Sequence, residues 1–269
     1  MKTLFLILLS LWYVCSTIVL NVPNEKGNFL SFDKNLEVGI PITVCIRFKL
    51  KGYFSNRVIF SSKGDTFCLS LQLPVGQGWI RLNKVYVLFK IMKDNFQPFK
   101  WHHLCYTLDK ESFMVIADGK QLYQSKYSNT MLHQITSTTL QQIMLGSLVS
   151  NQAVYTHYED FKGELTELNI WGMALSKEEM MELTKTCQIA NPVPDILNWS
   201  KDVTLYLSGV EGTSKVAMTQ LCDQTVKRHK LVQVLLNKED AIHTCNSLHG
   251  KLAYPTTIDE YNTWKSRWL

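Results

Sequence analysis

Apolar and polar residues alternate one by one along Trp101–Leu108, where Leu104, Tyr106 and Leu108 interleave with His103, Cys105 and Thr107. A period of two residues puts one set on each face of a β-strand. Phe113 to Ala117 is a second run of β-formers, and Asp118-Gly119 closes it with a dipeptide that favours a tight turn of positive φ. Ile40–Leu50 reads as a further strand and, like the first, carries a central cysteine. Between Asn28 and Leu73 the runs Phe29–Phe32, Val58–Phe60 and Phe67–Leu73 are separated by polar turn residues, and a longer β-rich run follows from Trp79 to Met92. Many short strands without helical periodicity predict an all-β sandwich.

The second half adds a strand at Gln142–Gly146 and another at Phe161–Trp171, whose apolar positions are Leu165, Leu168, Ile170 and Trp171. Ser176 and Glu179, three residues apart, form a capping box that opens a helix with Met180, Met181 and Leu183 on its apolar side. Gly212 to Arg228 shows no period and reads as a connector. Past it, Val232–Leu236 is strand-like and Asn237–Leu248 reads as a capped helix with Ala241, Cys245 and Leu248 on one face. Thr257 and Glu260 form a second capping box.

The N-terminus sets the expected compartment. Lys2, the apolar run Leu4–Leu11 and the small residues Val14-Cys15-Ser16 have the form of a secretory leader over residues 1–16. Later in the chain the most apolar stretch, Val85–Met92, is too short to span a membrane and is interrupted by Lys90. The expected product is secreted, or is the ectodomain of something longer. Of seven cysteines, Cys15 leaves with the leader, and the remaining six in an oxidising compartment point to disulfides. Six cysteines allow about 15 connectivities. The balance of 28 basic against 23 acidic side chains is too even to imply nucleic acid. The cluster Lys227-Arg228-His229-Lys230 reads as a solvated linker.

A strand of T-V-C-I-R-F type, a second of H-x-C-Y-T type, the D-G-K turn, and F-x-G-x-L-x-x-L-x-I-W-x-x-x-L-S-x-x-E before a helix together resemble the pentraxin domain. Ile196–Trp199 and Val203–Leu207 resemble that domain's closing strands. The resemblance covers roughly Val19 to Val210 and implies a two-sheet antiparallel jelly-roll sandwich with one short helix. It also implies a cross-sheet disulfide between Cys45 and Cys105, and leaves Cys68, Cys187, Cys222 and Cys245 unassigned. The run A-x-x-x-C-x-x-L-x-G-x-L-A-x-P-T-x-x-x-E resembles the opening of a C-type lectin-like domain, so residues 231–269 are expected to add a small α+β segment after a 211–230 linker.

Pentraxins hold paired calcium ions, which carry phosphocholine, phosphoethanolamine or sugar ligands, and they commonly assemble as rings of five. The resemblance therefore implies calcium, a carbohydrate or phosphocholine-like partner and a homo-oligomer. Asp65, Glu159 and Asp160 fall at or near the family's metal-ligand positions. Ser147-Leu148-Val149-Ser150 stands where the family supplies Glu, Gln and Asp, and offers no carboxylate. The expected calcium site is accordingly lost, or reduced to one ion.

Catalytic patterns are lacking. Glycoside hydrolysis needs two carboxylates about 5–10 Å apart across one bond. Glu164 and Glu167 stand three apart on one predicted strand, which by alternation sends them to opposite faces. No E-x-D-x-x-E run or G-x-S-x-G elbow occurs, and the seven histidines show no ligand or base spacing. Asn198-Trp199-Ser200 is the one sequon for N-glycosylation. Two functional readings follow: a non-enzymatic extracellular recognition protein, or a structural spacer that holds neighbouring domains and binds no small ligand.

Overall fold

The computed structural model describes residues 16–22, 30–51, 57–62, 66–73, 76–83, 85–92, 95–126, 137–140, 142–146, 159–185, 191–208, 213–217 and 221. Its strands are β1 (Ser16–Asn21), β2 (Leu30–Phe32), β3 (Leu36–Val38), β4 (Ile42–Leu50), β5 (Arg57–Ser62), β6 (Phe67–Gln72), β7 (Gln77–Leu82), β8 (Val85–Lys90), β9 (Trp101–Leu108), β10 (Ser112–Ala117) and β11 (Lys120–Lys126). There follow β12 (Thr138–Leu140), β13 (Ile143–Leu145), β14 (Glu159–Asp160), β15 (Gly163–Trp171), helices α1 (Lys177–Lys185) and α2 (Trp199–Tyr206), β16 (Leu207–Ser208) and β17 (Thr213–Ala217).

The strands form two main sheets. Sheet A runs β11-β10-β9-β4-β15-β1-β17, and sheet B runs β16-β2-β13-β5-β6-β7-β8 with β14 beside β5. Among the described residues every pairing is antiparallel except β14 with β5. The expected all-β, jelly-roll-type sandwich is the observed architecture.

Alternation builds the core. Val44, Ile46 and Phe48 of β4 and Leu104, Tyr106 and Leu108 of β9 point inward and share one cluster with Phe60, Leu69, Ile80 and Val87 of sheet B. Phe48 packs 5.2 Å from Phe96 and edge-on to Phe161. Each such side chain contributes about 1.5–3 kcal/mol on leaving water. At the β10–β11 hairpin Ala117 pairs with Lys120, and Asp118 (φ 49°) and Gly119 (φ 72°) occupy the two positive-φ positions that a tight primed turn requires.

The β-rich run Trp79–Met92 contains a hairpin, β7 and β8, turned where Asn83 adopts φ 55°, a conformation asparagine tolerates. Three expectations are corrected. The segment expected to close the sandwich as strands contains α2, so there are two helices among the described residues rather than one. The Asn198 carbonyl accepts from the Lys201 and Asp202 N–H groups, and the Asp202 carboxylate accepts from the Asn198 N–H. Burial of Trp199 completes what Val203, Thr204 and Tyr206 disfavour by propensity. Part of the expected connector, Thr213–Ala217, is strand β17, paired with β1 at the rim of sheet A. Its exposed Thr213, Ser214 and Lys215 suit an edge and leave no periodic signature.

The third correction concerns the disulfide. Cys45 and Cys105 are bonded, but they bridge neighbouring strands of one sheet, not two sheets, as direct register partners 4.1 Å apart at Cα. The cross-link closes a separation of 60 residues, which stabilises the fold by about 4 kcal/mol through chain entropy.

Candidate functional site

The outer faces of the two sheets differ. On sheet A, α1 and Leu175 just before it cover Cys45, Cys105, Met114, Ile116 and Trp171, the helix adding Met180 and Leu183. The helix is held as the sequence predicts. The Glu179 N–H donates to Ser176 Oγ at 3.2 Å, and the Ser176 N–H donates to Glu179 Oε2 at 2.7 Å. Hydrogen bonding from the Ser176 N–H, and then from its side chain, holds the Glu179 carboxyl below the usual range. Thr184 Oγ1 accepts from the Gly119 N–H, tying the helix to the β10–β11 turn.

Beside the helix, β15 carries a bulge. Thr166 pairs with Arg47 and Asn169 with Cys45, so Glu167 and Leu168 together oppose one residue of β4. The bulge lets Leu165 and Leu168, three apart, both reach the core, while Glu167 takes φ 53°. Glu164 and Glu167 consequently share the outer face, against the expectation from strict alternation. Neither is available as a catalytic partner for the other, because Glu167 is paired with Arg47 and Glu164 with Lys49.

His103 lies on this face, in register with Arg47 and two residues from Cys105. Burial, and then the charge of Arg47, push its pKa well below 6.5, opposed in part by the Leu183 backbone. Neither ring nitrogen makes a hydrogen bond of good geometry, although the Leu183 backbone lies close enough to act on the ring. His102 points the other way, with Nδ1 2.7 Å from Asp118 Oδ2 and Nε2 2.8 Å from the Gln97 carbonyl. The sequence reading that assigned no role to either histidine missed the position of His103, because its neighbour Cys45 is remote in sequence.

On sheet B, the hairpin β7–β8 presents a different surface. Ile80, Leu82, Val87 and Phe89 enter the core, so Trp79 and Arg81 of β7 and Tyr86 and Leu88 of β8 face outward. Arg81 pairs with Tyr86 in register and its guanidinium lies 4.8 Å from the ring centroid. Trp79 sits 6.3 Å from Tyr86. Tyr86 is 52% and Leu88 63% exposed, unusual for side chains of this size. Farther in, the same face carries the buried residues Ser61, Cys68 and Ser70. Sequence analysis marked the run but not the face, since the turn that divides it sets which residues point outward.

The remaining sequence candidates are scattered. Asp65 lies outside the described residues, as do Ser147–Ser150, Cys187, Cys222, Cys245, the Thr257–Glu260 capping box and all of residues 231–269. Glu159 and Asp160 form β14, where their backbone pairs with Arg57 and Val58. A calcium ion asks for six to eight oxygens. Gly146, at φ 77°, follows β13, and the stretch after it, where the resemblance implies further carboxylate ligands, is among the residues not described. Asn198 is half-buried at the start of α2, with Ser200 Oγ donating to its Oδ1 at 2.7 Å.

Among solved structures, the native heptameric SAP-like pentraxin from Limulus polyphemus is similar at 18% identity and a TM-score of 0.60, over 78% of this chain and 98% of that one. The full extracellular region of zebrafish Gpr126/Adgrg6 is similar at 15% identity and a TM-score of 0.54, over 75% of this chain and 26% of that one. The CBM40 of Ruminococcus gnavus IT-sialidase, bound to α2,3-sialyllactose, is similar at 15% identity and a TM-score of 0.45, over 64% and 98%. No curated protein matches. No helix among the described residues is long and apolar enough to cross a membrane. The family described as the concanavalin A-like lectin/glucanases superfamily matches residues 25–181, more than half of the chain. With its two-sheet core, lectin-type fold and disulfide, this chain belongs to the concanavalin A-like lectin/glucanase superfamily.

Proposed function

We propose that this protein is a non-enzymatic extracellular recognition protein that binds cell-surface carbohydrate through the outer face of β7–β8. The observation that carries the reading is the exposed pair Tyr86 and Leu88, with the Arg81 guanidinium over the Tyr86 ring, on the sheet that α1 leaves alone. An aromatic edge and an apolar neighbour suit the C–H face of a sugar ring, and a guanidinium suits an anionic or hydroxyl-rich substituent. Binding is independent of calcium in this reading, because Leu148-Val149 displaces the anionic donors that the ion needs.

Retention of the purified chain on carbohydrate resin, in calcium and again in chelator, tests the reading. Equal retention in both supports it. Retention abolished by chelator returns calcium to the site, and retention on phosphocholine resin alone moves the ligand class. No retention on either resin favours a spacer.

The compartment belongs to the same proposal. A leader ending at residue 16 accounts for the apolar start, and because β1 begins at Ser16, such a cut trims only the first residue of that strand. Asn198 is the proposed glycan acceptor, with Ser200 already hydrogen-bonded to its side chain. Trp199, between them, is buried, so transfer precedes folding. Residues 231–269 are proposed as the opening of a lectin-like segment that follows the sandwich.

A further inference from the structure

Under α1, two strands bring three metal-binding groups to one point. Cys45 and Cys105 are register partners, and His103, two residues from Cys105, shares their face. One ligand atom from each lies within 4.8 Å of the other two. All three residues are buried, and neither ring nitrogen of His103 makes a hydrogen bond of good geometry, the Leu183 backbone acting on the ring least among its neighbours. Buried polar groups are nearly always fully satisfied, so an imidazole so loosely held against two sulfurs calls for an explanation.

We propose that this trio has two chemical states: a disulfide beside a loosely held imidazole when oxidised, and a Cys2His site for zinc or another thiophilic ion when reduced. Reduction breaks the Cys45–Cys105 bond with two electrons and two protons. A dithiol supplies both and leaves as its own disulfide; a phosphine supplies the electrons, water supplies the protons, and the phosphine takes the water oxygen. Each thiol then releases its proton to solvent as its sulfur bonds the ion, and His103 adds a nitrogen lone pair. Ligand atoms about 3.8 Å apart suit tetrahedral zinc with metal–sulfur bonds near 2.3 Å. Opening the sulfur–sulfur bond and turning the side chains reaches that spacing from the positions they hold. Two thiolates neutralise a divalent ion, and Arg47 beside them is already paired with Glu167, so no net charge is added beneath the helix. A water or other donor fills the fourth position, as in zinc sites with three protein ligands. This inference does not rest on the carbohydrate reading.

The test uses the full chain, reduced with a phosphine and alkylated with iodoacetamide, with and without Zn²⁺. Peptide mass mapping reads labelling at Cys45 and Cys105 separately from the other cysteines. Zinc is expected to slow labelling at both positions by about ten-fold or more, His103→Asn to remove most of that protection, and His103→Cys, which keeps a soft ligand, to restore it. Labelling that zinc leaves unchanged overturns the site, including where the reduced chain has simply unfolded. Protection that survives in His103→Asn, or that is lost equally in His103→Cys, overturns the role of His103.

Discussion

Glu167 and Arg47 form a buried ion pair on the outer face of sheet A, with their side chains 13% and 5% exposed. The bulge in β15 creates this contact. Removing one partner leaves the other charge buried, so Glu167→Gln is expected to destabilise the fold by about 3 kcal/mol. Glu164→Gln breaks a pair whose side chains are each 22% exposed, and is expected to lose less than about 1 kcal/mol. Urea midpoints of the two variants check the ranking; equal losses contradict it.

His103 makes stability depend on pH. Its pKa lies well below 6.5 in the folded protein and near 6.5 in the unfolded chain. Between those values the unfolded chain binds a proton that the folded protein does not, so stability is full above the unfolded value and falls as pH drops below it. The neighbouring charges are Arg47 and its partner Glu167. Melting temperature is expected to fall between pH 7.5 and 5, and less steeply in His103→Phe; parallel profiles contradict the assignment.

Tyr106 carries a hydroxyl into the core with no hydrogen-bond partner. Burial, and then Cys68, raise the phenol well above 10.0, so it stays protonated. Tyr106→Phe removes an unsatisfied donor without changing shape and is expected to raise stability by about 1 kcal/mol. Destabilisation in a denaturant melt argues against the assignment.

Glycosylation at Asn198 predicts a mass decrease when material exported from animal cells is treated with peptide N-glycosidase. The shift should be absent in Asn198→Gln. An unchanged mass removes the glycan from the account.

Much of the fold was legible because its strands carry a period of two. Leu104, Tyr106 and Leu108 enter the core, Asp118-Gly119 turns the hairpin, and Ser176 with Glu179 caps α1 as their spacing predicts. What escaped depends on distant partners. Leu165 and Leu168 both had to be buried, which alternation forbids without a bulge, and the bulge in turn places Glu167 beside Arg47. Helix α2 was hidden because Val203, Thr204 and Tyr206 favour strands, while its caps and the burial of Trp199 decide otherwise. The face shared by Arg81 and Tyr86 needed the β7–β8 register, and His103 needed Cys45 brought alongside from another strand.

Binding to an immobilised glycan panel tests the central claim most directly, comparing the wild-type chain with Tyr86→Ala and Arg81→Ala. Tyr86 is an exposed aromatic outside the core, so Tyr86→Ala should melt with the wild type; Arg81→Ala also loses the bond from its Nε to the Asn83 carbonyl, so its binding is compared at a temperature where its melt shows it folded. Wild type is expected to bind at least one glycan in calcium and in chelator alike, and each variant to bind it about ten-fold or more weakly. Undiminished binding by both variants, or no glycan bound by the wild type, contradicts the account.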